Sequence, residues 1–228
     1  MAQKAISSKL YYLENYGTYN YGFYDRIVCS KFKAILGGNV RIMATGSAPI
    51  GVDVLNFLKV CFCCPILEGY GQTESTAAST VTLPEDAVAG HVGGPLPCVK
   101  IRLRDIPEMG YTSKDLPYPR GEICFQGPSV FKGYFMNDEK NREAMQDGWL
   151  MSGDVGIVLP NGSIKIIDRA KNIFKLAQGE YIAPEKLENV YVQSPYVQML
   201  HVHGDSLQSF LVAIVIPDFE IIRKWAKT

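Results

Sequence analysis

The sequence has no surplus of charge of either sign: 23 lysines and arginines balance 23 aspartates and glutamates over 228 residues. A nucleic-acid surface or a polybasic membrane anchor draws on excess positive charge, so neither is expected. No apolar run approaches the roughly 20 residues that span a bilayer. Met1–Leu10 is polar, and no signal peptide is expected. No segment is repeated or of low complexity. The six cysteines (Cys29, Cys61, Cys63, Cys64, Cys98 and Cys124) are not spaced as a disulfide framework. Cys61-Phe62-Cys63-Cys64 lacks a second ligand pair and lacks a histidine at metal spacing. Reduced, buried thiols of an intracellular protein are expected there rather than zinc.

The chain is 47% hydrophobic and 20% charged, enough for one domain or two small ones. Residues 1–35 read as helical: Ile27, Val28, Phe32, Ile35 and Leu36 recur at helical spacing, and Gly37-Gly38 stops the pattern. Tyrosines 11, 12, 16, 19, 21 and 24 could stack bases, but without a basic groove packing or a loop is expected. Val40–Thr45 is a short strand that runs into the turn Gly46–Ile50, a helix follows over 51–62, and "CPILEG" is the next strand. This is an α/β rhythm, in which ligands collect beyond the carboxyl ends of the strands.

After Pro95 the texture becomes β-rich: "CVKIRLRDI", "GEICFQG" and "DVGIVLPNGSIKIID" are alternating runs divided by glycine and proline. Asn161-Gly162 marks a hairpin, because that pair accepts positive φ. A helix starts at Pro184-Glu185, a strand pair covers "VQMLHVHG" and "SFLVAIVIPD", and a last helical piece closes the chain.

Three places carry chemistry. "GYGQTE" (Gly69–Glu74) offers small residues whose N–H groups can approach an anion, with Gly71 and Gln72 at its centre. Thr73 adds a hydroxyl, Glu74 a hard oxygen suited to Mg²⁺, and Tyr70 a flat face for a base. Such a loop suits a nucleotide triphosphate and its metal; a plain glycine-rich turn reads equally well from the loop alone. Asp154 follows a glycine in "MSGDVG", where a carboxylate can accept both hydroxyls of a ribose or serve only a turn. Arg169 could pair with a ribose or phosphate, Lys175 could reach a polyanion, and Gly179 permits close backbone approach; isolated, these are also the charges of a solvated surface.

Read in order, "TGSAPI", "GYGQTE", "RGEICFQGPSVFKGYF", "DGWLMSGDVG" and "NGSIKIIDRAKNIFKLAQGEYIAPEKLEN" resemble the adenylate-forming superfamily, and within it the long-chain fatty acyl-CoA synthetases. The resemblance covers roughly residues 20–228. It implies a fold of α/β plus α+β. Residues 1–168 would be the C-terminal part of the large adenylation domain, with an α/β piece over 1–95 and a β-rich subdomain over 96–168. Residues 169–228 would be part of the small C-terminal domain. It implies Gly46, Ser47, Ala48 and Pro49 along the adenine, Tyr70 against its ring, Thr73 on phosphate and Glu74 on Mg²⁺. Asp154 and Arg169 would hold the ribose. Lys171 would be the hinge of domain rotation, and residues 175–181 would face the thioester-forming site.

The implied substrates are ATP, a long-chain fatty acid and coenzyme A, with Mg²⁺ as cofactor and no nucleic acid. Another adenylate-forming enzyme, such as an acyl-AMP ligase, and a non-catalytic nucleotide-binding module are the alternatives. An intracellular location is implied, cytoplasmic or on the cytosolic face of an intracellular membrane, with membrane association in the full-length protein. Two family motifs are not in the sequence, the Ser/Thr/Gly-rich phosphate loop and the C-terminal catalytic lysine in its Gly-Lys context. An excised piece, inactive alone, is therefore expected. Ser152 stands where the family favours threonine, which keeps the hydroxyl.

Overall fold

The computed structural model describes residues 2–178, 180–205 and 207–227. It is a mixed α/β chain that divides into two compact units. The first comprises Met1–Arg102, Cys124–Met151 and Val158–Lys165; the second comprises Leu103–Ile123, Ser152–Ile157 and Ile166–Thr228. Among the described residues no helix is long and apolar enough to cross a membrane.

The first unit opens with α1 (Ala2–Tyr16), whose buried face is Ala5, Lys9 and Leu13 at a spacing of four. The helix stops where Gly17 takes a φ of 65° and donates its N–H to the Leu13 carbonyl. The expected helix over 1–35 is therefore broken, and helical structure resumes only at α2 (Gly22–Tyr24). A π-turn over Asp25–Cys29 leads into α3 (Ser30–Ile35). The tyrosines pack on one another, Tyr12 with Tyr21 at 4.8 Å and Tyr21 with Tyr24 at 5.3 Å between ring centres.

Strand β1 (Met43–Thr45) is shorter than the pattern over 40–45 suggests. It pairs parallel with β2 (Ile66–Tyr70), and Pro65 ahead of β2 has no N–H to extend the ladder. Between them lies α4 (Val52–Phe62), the crossover that parallel strands require. Its buried Val60 and Cys61 pack on Leu13 of α1, with Ile6, Leu10, Tyr19 and Phe32 around them. Burial of each such aliphatic side chain contributes about 1.5–3 kcal/mol. Two short strands, β3 (Thr80–Val81) and β4 (Gly94–Pro95), complete the sheet in the order β1-β2-β3-β4.

The β-rich stretch follows: β5 (Lys100–Arg104), β6 (Arg120–Gln126), α5 (Asp138–Ala144), β7 (Met145–Gln146), β8 (Trp149–Val158) and β9 (Ile164–Arg169). Their sheet has the order β5-β6-β8-β7, with β9 on β8. The turn between β8 and β9 falls at Pro160–Gly162, and Gly162 carries the positive φ, 81°.

The remainder of the second unit holds β10 (Phe174–Lys175), β11 (Tyr181–Ile182), α6 (Pro184–Tyr191), β12 (Val197–Gly204), β13 (Leu211–Pro217) and α7 (Phe219–Trp225). α6 begins on the expected proline, and β12 and β13 form an antiparallel pair. The core here is Ile106, Val155 and Ile173, packed by Ile167, Ala170 and Tyr181. All six cysteines are free thiols. Cys29, Cys61, Cys64 and Cys124 are buried as expected, but Cys98 is exposed: it sits in the turn between β4 and β5, outside the sheet.

Candidate nucleotide site

In the first unit, two loops leave the carboxyl ends of β1 and β2. The register places Thr45 opposite Glu68, so Gly46 and Gly69 emerge side by side. A Cβ on Gly46 would lie 3.1 Å from the Gly69 carbonyl oxygen, so the two loops run at backbone contact. The first presents Ser47, Ala48 and Pro49 to solvent, and Ser47 holds a left-handed φ of 68°.

The second loop is tighter. A Cβ on Gly71 would meet the Ala77 carbonyl oxygen at 1.8 Å and Ser79 N at 2.8 Å, so only glycine fits. Ser79 N donates to Tyr70 O at 2.8 Å, and Ala77 N donates to Gln72 O at 3.1 Å. Buried Ser75 accepts from Gln72 N at 3.0 Å and donates back to Gln72 O at 3.1 Å. Thr73–Ser75 is a 3-10 turn; it leaves Thr73 exposed and Glu74 half-buried. The Tyr70 ring packs on Phe125 at 5.8 Å.

Glu74 is fixed from the stretch "VFKGYF". The Tyr134 hydroxyl donates to Glu74 Oε1 at 2.7 Å, and Phe131 N donates to the Glu74 carbonyl at 2.8 Å. The bond to the carboxylate pushes the Tyr134 phenol above its ordinary pKa. Oε2 is a second hard oxygen at this position. A half-buried carboxylate fits Mg²⁺, which takes one or two protein carboxylates and fills its octahedron with phosphate and water. The signal for Tyr134 was present in "VFKGYF", a glycine among aromatics, but nothing local ties it to a loop sixty residues away.

In the second unit, β8 carries Asp154 and the end of β9 carries Arg169. Arg169 Nε lies 3.4 Å from Asp154 Oδ1; the carboxylate is 7% exposed and the guanidinium 53%. The backbone of Gly153 is held on both sides: its N–H donates to Glu122 Oε1 at 2.9 Å and its carbonyl accepts from Ala170 N at 2.8 Å. Glu122 also pairs with Arg104. Asp168, 1% exposed, accepts from Arg169 N at 2.6 Å and Glu185 N at 3.2 Å. Desolvation pushes its carboxyl above the usual range. Asp168 went unassigned in the sequence, where nothing separates it from a turn aspartate. Lys171 is exposed in the turn after β9, and Lys175 is exposed with its Nζ 5.2 Å over the Tyr181 ring. Gly179 lies outside the described residues.

The structure thus brings Gly46–Pro49 together with Gly69–Glu74 in one unit, and Asp154 with Arg169 in the other. A family model described as AMP-binding enzyme matches residues 16–135. Long chain acyl-CoA synthetase 7, peroxisomal, of Arabidopsis thaliana is 53% identical over 205 residues, covering 90% of this chain and 29% of that protein. Long-chain-fatty-acid–CoA ligase 1 of Homo sapiens is 52% identical over 209 residues, 91% of this chain and 30% of that protein. The chain therefore spans less than a third of the length of these curated relatives. Among solved structures, the A domain of a carboxylic acid reductase from Segniliparus rugosus, in complex with AMP and a co-purified carboxylic acid, matches with TM-score 0.77 and 29% identity. That match covers 100% of this chain and 35% of the other. O-succinylbenzoate coenzyme A synthetase from Bacillus subtilis, in complex with ATP and magnesium, matches with TM-score 0.69 and 26% identity over 82% of this chain and 40% of the other.

Proposed function

The chain belongs to the AMP-binding enzyme family, and from that premise we propose that it carries nucleotide-binding residues of an ATP-dependent long-chain fatty acid:CoA ligase. In the first half-reaction the fatty carboxylate attacks the α-phosphorus of ATP and pyrophosphate leaves, giving acyl-adenylate. In the second, the thiol of coenzyme A attacks the acyl carbon and AMP leaves. The observation that supports this most is the pair of loops side by side at the ends of β1 and β2, one closed so tightly that Gly71 has no room for a methyl group.

Gly46, Ser47, Ala48 and Pro49 line the adenine, and Tyr70 lies against its ring. Gly69, Gly71 and Gln72 bring the backbone close to phosphate, and the exposed Thr73 hydroxyl donates to it. Glu74, oriented by Tyr134, would hold Mg²⁺, which when bound would supply charge neutralisation on the phosphates. Asp154 accepts the ribose hydroxyls, with Arg169 beside it. Lys175 serves the reaction as a cation for the polyanionic substrates.

The division of the parent protein at 168/169, with Lys171 as hinge, belongs to the same proposal. Lys171 is exposed in a turn, which suits a hinge. Ile167, Ala170 and Ile173 share a core with Val155, so rotation there has to part Ile173 from Val155. The proposed location is intracellular, cytoplasmic or on the cytosolic face of a membrane; two relatives are named peroxisomal.

Calorimetric titration of AMP and of ATP, each with and without Mg²⁺, tests the roles. Asp154→Ala weakens both nucleotides, with or without the metal. Glu74→Ala weakens ATP only when Mg²⁺ is present. Equal loss of AMP affinity in both variants overturns the assignment.

A further inference from the structure

Lys9 lies between Ala5 and Leu13 on the buried stripe of α1 and is 1% exposed. A lysine at such a place is costly unless its charge is met. Its Nζ donates to Asp25 Oδ1, to Cys63 Sγ at 3.0 Å and to Cys29 Sγ at 3.5 Å. Cys63 Sγ itself lies 3.3 Å from Asp25 Oδ1 and 3.6 Å from the Val60 carbonyl.

Two of the elements that meet here are irregular. Asp25 and Cys29 bound the π-turn that interrupts the helical stretch. Cys63, capping α4, holds a left-handed φ of 53°, where glycine is the favoured residue. Helix packing alone requires neither feature. Together they bring a thiol against a buried amine, with a carboxylate touching both.

We propose that Cys63 and Lys9 form a redox-controlled covalent cross-link, made under a hydroperoxide and undone by thiols. With hydrogen peroxide, the O–O bond breaks and an S–O bond forms. Sulfur gives up two electrons, and the products are a sulfenic acid and water. The Lys9 ammonium releases one proton to water, Asp25 staying ionised beside it, and the free amine attacks sulfur. The S–N bond forms as the S–O bond breaks, and the departing hydroxide takes the second nitrogen proton and leaves as water. Two equivalents of a thiol reductant return the thiol and amine and are themselves joined as a disulfide. The link fastens α1 to the end of α4. Burial pushes the resting Cys63 thiol up to about 12, so the group is protonated and the link forms slowly, under sustained exposure to the hydroperoxide. Asp25 Oδ1 is the acceptor for the thiol proton.

Peptide mapping by mass spectrometry, after peroxide treatment of the whole chain, tests this. A peptide joining Lys9 to Cys63, lighter than its two parts by two hydrogen atoms, is the expected product. It persists in Cys29→Ser, disappears in Cys63→Ser and in Lys9→Arg, which keeps the buried charge, and reverts on addition of a thiol. A Cys29–Cys63 disulfide in place of that peptide overturns the proposal. So does a Cys63 sulfenic acid trapped by dimedone with no cross-linked peptide, or a Cys63 still unmodified after prolonged treatment of the folded chain with excess peroxide.

Discussion

Replacing Gly71 by alanine adds one methyl group, and the structure says where it goes. The new Cβ would sit 1.8 Å from the Ala77 carbonyl oxygen, 2.8 Å from Ser79 N and 2.9 Å from the Ala77 carbonyl carbon. All three are backbone atoms, so no rotamer change relieves the clash. Real Cβ atoms stay 3.0 Å or more from such neighbours, which requires the loop to open by roughly 1 Å. Opening strains the two bonds that close it, Ser79 N to Tyr70 O and Ala77 N to Gln72 O. At about 0.5–1.5 kcal/mol each, their loss destabilises the protein by about 1–3 kcal/mol.

Thr73 and Glu74 ride on the same loop. One charge-assisted bond to phosphate is worth about 1.5–3 kcal/mol, so ATP affinity falls by about tenfold or more. Urea denaturation reads the first loss and calorimetry the second. Gly162→Ala is the control: its φ is 81°, but nothing lies within 4 Å of the added Cβ. It costs about 1–2 kcal/mol of backbone strain and leaves nucleotide affinity unchanged. A Gly71→Ala protein with unaltered urea midpoint and unaltered ATP affinity refutes the reading of this loop as closed and phosphate-facing.

Tyr134→Phe removes the donor on Glu74 Oε1 and is expected to raise the Mg²⁺ concentration for half-maximal ATP binding; an unchanged Mg²⁺ titration counts against an orienting role. The raised carboxyl of Asp168 has a definite pH signature. A carboxyl whose folded pKa lies above its unfolded value favours the native state at low pH, and the benefit is lost as pH rises through the folded pKa. The stability of the wild type relative to Asp168→Asn, from urea melts at stepped pH, should therefore fall as pH rises from the unfolded value of about 3.9 upward. A rise over that interval contradicts the desolvation account. Toward a chromogenic disulfide at neutral pH, Cys98 should react fastest, whereas Cys61, 0% exposed with its thiol pushed to about 11, should wait for unfolding. A fast Cys61 would show that the packing of α1 on α4 opens readily.

The elements legible in the sequence were those with local causes. Asn161-Gly162 declared its hairpin, Pro184 its helix, and the apolar spacing over 52–62 its crossover. Gly17 could have been read as a stop, but the aromatic run on either side masked it. The strands β3 and β4 hold two residues each, too few to show any period. The loop "GYGQTE" announced itself by composition, and the structure adds the reason for Gly71, which is crowding by its own loop rather than a positive φ. Tyr134, Asp168 and Lys9 were invisible for one physical reason. Their partners lie 60, 17 and 16 residues away, and no local pattern encodes a pairing made only by the fold.

The tie between Glu74 and Tyr134 also bears on biosynthesis. The chain emerges from the ribosome amino end first, and the loop Gly69–Ser79 is fully translated well before residue 134 appears. Its own hydrogen bonds can form at once, since they span only a few residues. The carboxylate takes its final aim only after a sixty-residue segment closes back on it, and such a long closure carries a larger entropy cost than a local turn. A chain stalled before Tyr134 lacks the donor that aims Glu74, so competence for the metal waits on residue 134.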